Sequence, residues 1–274
     1  MLNIAHRGAP SLAPENTLAS AKKAKEVGAD LWETDVTVTA DGKLILLHDD
    51  TLSRTTNARQ IFPGRVPWTA ADYTLKELRT LDAGSWFLDA DPFGQIKTGL
   101  VSASEQQEIA RQKIPTLEDA LVFTKEADWR INLELKTLSP KMQDFPLVKD
   151  MLNMIDRLQI EIERVIISSF YHPYLEQVRA INPDMVVQAL IDERNIGVIR
   201  ENVIRDNHCE FQTYNLKAAL FNEDIIRKLV DKGLTINVNT INDARDMKRF
   251  KNAGVSGIFT DFPQRFKQWT EEAA

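Results

Sequence analysis

Eight short apolar runs, rich in β-branched residues and each followed by a longer stretch with helical character, constrain this chain more than any other feature. The runs cover 3–8, 31–39, 130–136, 165–170, 186–191, 210–215, 235–240 and 257–261. Strands that alternate with helices pair in parallel, and eight such units close into a (β/α)8 TIM barrel, which typically takes ~250 residues. The 274 residues are therefore read as one α/β barrel domain, 1–274. A doubly wound open sheet is the structural alternative. It wants a glycine-rich turn after the first strand, and no G-x-G-x-x-G stands there. Asn16-Thr17 is expected to cap the first helix, and Thr116, Pro173 and Asn222 to open later ones.

Two segments depart from the alternation. Lys43 to His48 is apolar and follows Asp41-Gly42, a hairpin turn signal, so it is expected to extend the second strand without adding a ninth to the barrel. The stretch 57–113 has few periodic elements but carries Trp68, Tyr73, Trp86, Phe87 and Phe93. It reads as a small insertion after the second strand, either a functional lid or a subdomain that packs its own aromatics.

Composition narrows the partners. A net charge of −6 argues against nucleic acid, whose binding rests on clustered Lys and Arg. It leaves room for a small anion in a local positive pocket. No apolar run approaches the ~18 residues that span a bilayer, so no stable membrane insertion is expected. Cys209 is the single cysteine, which forbids an intramolecular disulfide. With no basic and apolar leader at Met1, a cytoplasmic location is expected.

The polar residues that interrupt the strands carry the chemistry. The first strand ends in His6-Arg7-Gly8, the second contains Glu33-Thr34-Asp35, its extension ends in His48-Asp49, and the third ends in Glu134-Leu135-Lys136. A parallel barrel strand is buried on both faces, so charges there need partners or a metal. Glu33 and Asp35, two apart, share one face with Cα atoms ~6.6 Å apart. With Glu134 they could surround one divalent cation, and oxygen ligands select Mg2+ or Ca2+. The alternative is a structural network with Arg7 and Lys136. His6 and His48 suit proton transfer near neutral pH, and Arg7 and Lys136 suit phosphate oxygens. His172 and His208 read as structural.

In order along the chain, His6-Arg7-Gly8, Pro14-Glu15-Asn16-Thr17, Glu33-Thr34-Asp35, His48-Asp49, Glu134-Leu135-Lys136 and the segment from Gly257 to Pro263 resemble the glycerophosphodiester phosphodiesterase family. So do the segments from Leu81 to Phe87 and from Ile114 to Glu118. The resemblance implies a (β/α)8 barrel with an insertion after the second strand. It implies hydrolysis of glycerophosphodiesters to sn-glycerol 3-phosphate and an alcohol through a cyclic intermediate. It makes His6 and His48 the acid/base pair, gives the metal to Glu33, Asp35 and Glu134, and gives the phosphate to Arg7 and Lys136. Glu15 is part of the pattern too and is read as structural, or as a support behind the site residues, and not as a metal ligand. Asn239 stands where family members often carry Trp. That exchanges an apolar shelf for an amide, for which an insertion aromatic could compensate. A lysophospholipase D-like specificity is the alternative, with the insertion's aromatics as an apolar entrance; a non-catalytic ligand-binding barrel is disfavoured because all seven polar residues are present.

Overall fold

The computed structural model describes residues 1–271. Nine strands run in chain order: β1 Leu2–Ala5, β2 Leu31–Val38, β3 Leu44–Leu46, β4 Ile131–Leu135, β5 Val165–Ser169, β6 Val186–Ile191, β7 Thr213–Lys217, β8 Thr235–Asn239 and β9 Gly257–Thr260. Eight are parallel and close into a ring, because β1 pairs with both β2 and β9. β3 stands outside the ring, antiparallel on β2. It is a separate strand folded back over β2 at the Asp41-Gly42 turn, and, as the sequence suggests, it adds no ninth strand to the barrel ring.

Helices cover the outside. The one at Leu18–Glu26 is capped by Thr17, whose hydroxyl accepts from the Ser20 amide. Helix Leu117–Glu126 opens with a reciprocal Thr116–Asp119 box. Trp32, fully buried on the outer face of β2, donates to Thr124 and meets Phe123 edge-on at 6.2 Å, tying the ring to that helix. The β6–β7 connection carries instead an eight-residue π-helix, Val198–Arg205.

The barrel interior is divided. Ile4, Leu31, Ile166 and Phe259 form an apolar cluster. On the β4–β8 side a polar ladder replaces the branched aliphatics usual in such barrels. Ser168 donates to Asn132 at 2.7 Å, Asn215 donates to Gln188 at 2.9 Å, and Asn237 donates to Asn215 at 2.8 Å. Each of these amides is buried.

The insertion folds into short helices, among them Ala58–Ile61, Leu75–Leu78, Ser85–Ala90 and Ala103–Ile109. Tyr73, Leu78 and Leu81 bury against Ile45, Leu47 and Leu52 of the β3 region in a core of their own. Phe87 joins the barrel core. Its aromatics thus point inward, and Trp68 spends its indole N–H on the Phe62 carbonyl.

Candidate active site

The turn after β1 places two polar residues at once. The strand ends at Ala5, and Arg7 and Gly8 both take positive φ, 56° and 87°. A Cβ on Gly8 would lie 2.4 Å from Ser20 Oγ, so the turn packs against the first helix only without a side chain there. Arg7 pays in backbone strain for a conformation that aims its amide at Glu33 Oε2, 2.9 Å away.

β2 and β4 bring the carboxylates together. Oxygens of Glu33, Asp35 and Glu134 lie within 4.8 Å of one another. Glu33 and Asp35 are 2% and 1% exposed, far too buried for charges without compensation. Asp35 is flanked by Lys136 at 3.3 Å and Arg7 at 3.4 Å, and Asn16 donates to it at 2.8 Å. Lys136 also meets Glu134 at 2.9 Å. Burial disfavours an ionised Asp35, but Lys136, Arg7 and Asn16 outweigh it and hold the carboxyl well below the usual range. For Glu33 the balance is reversed: burial and the neighbouring Asp35 push it well above. The network that could neutralise the carboxylates therefore exists, but its two cations pair with Asp35 and Glu134, and Glu33 is left to hold its proton above the usual range. Glu33 Oε1 is buried and accepts no hydrogen bond, and Asp35 Oδ1, also buried, has only the Lys136 ammonium at 3.3 Å. An orphaned oxygen and a carboxyl left without full compensation fit a hard divalent cation.

Both histidines are held the same way. His6 Nδ1 lies 2.7 Å from Asp261 Oδ1, and His48 Nδ1 lies 2.7 Å from Asp49 Oδ1. An ionised carboxylate only accepts, so each Nδ1 carries the proton and each Nε2 is left for the cavity. Burial and Arg7 disfavour protonated His6, but Asp261 and Glu33 outweigh them and raise its pKa. Asp261 is fixed by Asn242, which donates to Oδ2 at 2.6 Å and accepts from the Asp261 amide at 2.9 Å. Asp49 is gripped by Arg54 through both oxygens; that pairing foremost lowers its pKa to about 2. Glu15 bridges Arg7 and Arg54.

His6, Arg7, Glu33, His48, Glu134 and Lys136 all line one cavity of about 1010 Å3 at the C-terminal ends of the strands, with Asp35 buried beneath. Its far wall carries Phe170, Asp192, Arg194, Lys217 and Asn239. Arg194 lies over the Phe170 ring at 5.1 Å. The insertion contributes Thr69 and none of its aromatics, so nothing there replaces the indole missing at Asn239. His172 is taken up by the Leu190 carbonyl and the Phe211 ring, away from the chemistry.

Asp261, Asn242 and Arg54 were not singled out as site residues by the sequence reading. Asp261 lies in a segment of the family pattern, but its partner is 255 residues away. Lys217 was also missed, because β7 begins at Thr213 and ends at Lys217, beyond the expected 210–215, and so was Arg194, which lies in the loop after β6. Phe211 supplied the misleading apolar signal: it packs outside the strand under Arg179.

Comparison with known proteins finds relatives in both sequence and fold. The glycerophosphodiester phosphodiesterase of Bacillus subtilis is 30% identical over 271 residues, spanning 97% of this chain and 85% of the relative. That of Caldanaerobacter subterraneus is 33% identical over 273 residues, spanning 96% and 95%. An Oleispira antarctica phosphodiesterase, solved with its product sn-glycerol-3-phosphate, superposes with a TM-score of 0.77 at 26% identity, covering 98% of this chain and 96% of its own. Residues 6–265, spanning every strand of the barrel except β1, match the glycerophosphoryl diester phosphodiesterase family, to which this chain belongs.

Proposed function

We propose that the protein hydrolyses glycerophosphodiesters to sn-glycerol 3-phosphate and an alcohol, using one divalent cation, Mg2+ or Ca2+. The observation that carries this reading is the meeting of three carboxylates, two of them buried, the cationic Arg7 and Lys136, and two carboxylate-held imidazoles at one cavity. Glu33, Asp35 and Glu134 would hold the cation. When bound, it would supply positive charge to offset the phosphoryl oxygens and favour deprotonation of the attacking hydroxyl. Arg7 and Lys136 bind the non-bridging phosphate oxygens, Arg7 as a fork and Lys136 as a point charge. His6 and His48 move protons at Nε2: one takes the proton of the attacking glycerol hydroxyl while the other supplies one to the departing alkoxide, and water then opens the cyclic phosphate with the two roles exchanged.

The substrate is a small, free phosphodiester. No helix among the described residues is long and apolar enough to cross a membrane. A cytoplasmic setting belongs to the same reading, supported by the exposed, unpaired Cys209. A lysophospholipid would want an apolar entrance, and the insertion's aromatics are turned inward. The test is release of glycerol 3-phosphate from glycerophosphocholine, glycerophosphoethanolamine and glycerophosphoinositol, with and without EDTA. Turnover indifferent to chelation would remove the cation, and faster release of choline from lysophosphatidylcholine would replace the substrate.

A further inference from the structure

We infer that Arg54 is a positioning residue whose guanidinium sets the phosphate arm and one acid/base arm of the site in a common register. The inference rests on the roles just proposed for Arg7 and His48. Those two residues come from different parts of the fold, Arg7 from the turn after β1 and His48 from the turn after β3. Arg54, at the entrance to the insertion, is not among the residues that line the cavity.

Its four hydrogen bonds use the whole fork. Nε and Nη2 donate to the two Asp49 oxygens at 2.7 and 2.9 Å. Nη1 and Nη2 donate to the two Glu15 oxygens at 2.6 and 2.8 Å. Asp49 then accepts from His48 Nδ1, and Glu15 accepts from Arg7 Nη1 at 2.9 Å. The result is one continuous chain: Arg7, Glu15, Arg54, Asp49, His48. A planar guanidinium fixes the spacing of two carboxylates, which a flexible ammonium cannot do. It also keeps Asp49 ionised, so that His48 holds its proton on Nδ1 and presents a free Nε2. A salt bridge exposed to this extent adds little to stability, which makes geometry the better account of four simultaneous bonds.

The rival account is that Arg54 merely staples the insertion to the barrel. The insertion has its own staple for comparison, Glu77, which pairs with Arg65 and completes the Thr74 cap away from the cavity. The experiment measures kcat, KM and Tm for Arg54→Ala, Arg54→Lys, Glu77→Ala and His48→Ala, each with and without millimolar guanidinium. Expected are a loss of about 10- to 100-fold in kcat for Arg54→Ala, little recovery in Arg54→Lys, and at least a fivefold return of Arg54→Ala activity with guanidinium. Glu77→Ala keeps kcat while lowering Tm. Arg54→Ala within threefold of the parent, a loss matched by Glu77→Ala at equal Tm, or no guanidinium rescue overturns the inference. Should Arg54→Ala not fold, Arg54→Lys at parental kcat overturns it equally. Normal turnover in His48→Ala would instead sink the acid/base role on which the inference stands.

Discussion

The Asp261→Asn variant isolates the support of one imidazole. Asn242 dictates how the new amide must sit. Its own oxygen is engaged by the Asp261 amide at 2.9 Å and Thr260 Oγ1 at 3.2 Å, so its NH2 points at position 261 and demands an acceptor there. An asparagine at 261 therefore turns its oxygen to Asn242 and its NH2 to His6 Nδ1. Neutral His6 must then carry its proton on Nε2, the wrong nitrogen, and protonated His6 loses its anionic acceptor. A hydrogen bond to a charged group contributes about 1.5–3 kcal/mol, and 1.36 kcal/mol is one pKa unit, so the imidazole pKa falls by about 1 to 2 units. Charge in the carboxylate cluster is common to both proteins and cancels in the difference. The assay is kcat/KM against pH. The limb that reports His6 shifts to lower pH by that amount, and the maximum drops by about 10²-fold or more. Adding Asn242→Asp lets the new amide turn round, giving its NH2 to the carboxylate and its oxygen to Nδ1, so the double variant recovers part of the loss. Linkage has a definite sign. The raised His6 pKa contributes stability that is complete below its ordinary value and disappears as pH rises through the folded one. The Tm deficit of Asp261→Asn is thus larger at acid than at alkaline pH. Superimposable profiles for parent and variant, with kcat/KM within threefold, would refute the reasoning.

Other outcomes follow from the same geometry. Asp35→Asn or Glu134→Gln lowers calorimetric affinity for Mg2+ or Ca2+ by about tenfold or more; because Glu33 holds its proton above the usual range, the parent releases protons on binding and binds more tightly as pH rises, and a pH-independent affinity would contradict this. His6→Ala and His48→Ala each lower kcat by about 10²-fold, and near-normal turnover removes either residue from the mechanism. Arg194→Ala bares the Phe170 face to a quaternary ammonium, a contact of about 1 kcal/mol, so kcat/KM for glycerophosphocholine relative to glycerophosphoinositol rises about fivefold; an unchanged ratio would place the head group elsewhere. Gly8→Ala combines a positive φ with a 2.4 Å clash and costs about 1–3 kcal/mol, read as a fall in Tm, whereas Gly28→Ala, with open space around it, loses less.

The ring was legible because its strands obey local rules. β2 and β4 mix apolar residues with charges at alternate positions, and only a barrel mouth makes sense of Glu33, Asp35 and Glu134 on successive strands. The helix starts at Thr17, Thr116 and Asn222 were equally local, since a cap acts over three residues. β7 was misplaced because its interior positions are polar: Asn215 faces the ladder and Lys217 the cavity, leaving Phe211 as the stronger signal. What sequence could not display was closure. His6 with Asp261, Arg54 with Glu15 and Asn16 with Asp35 are pairings made by the ring, and no periodicity within a strand or helix anticipates them.

The strand that stands outside the ring divides the site into two stability classes. The carboxylates, Lys136 and the turn carrying Arg7 belong to strands bonded on both sides within the barrel, whereas His48 and Asp49 follow a three-residue strand held on one side only, whose Leu44 and Leu46 pack into the barrel core while Ile45, with Leu47 and Leu52, packs into the insertion's separate core. Opening of that smaller unit requires no strand of the ring to part. Mild heat or denaturant should therefore extinguish turnover while the ion remains bound, and a protease cutting first within the insertion would leave a loaded but silent barrel.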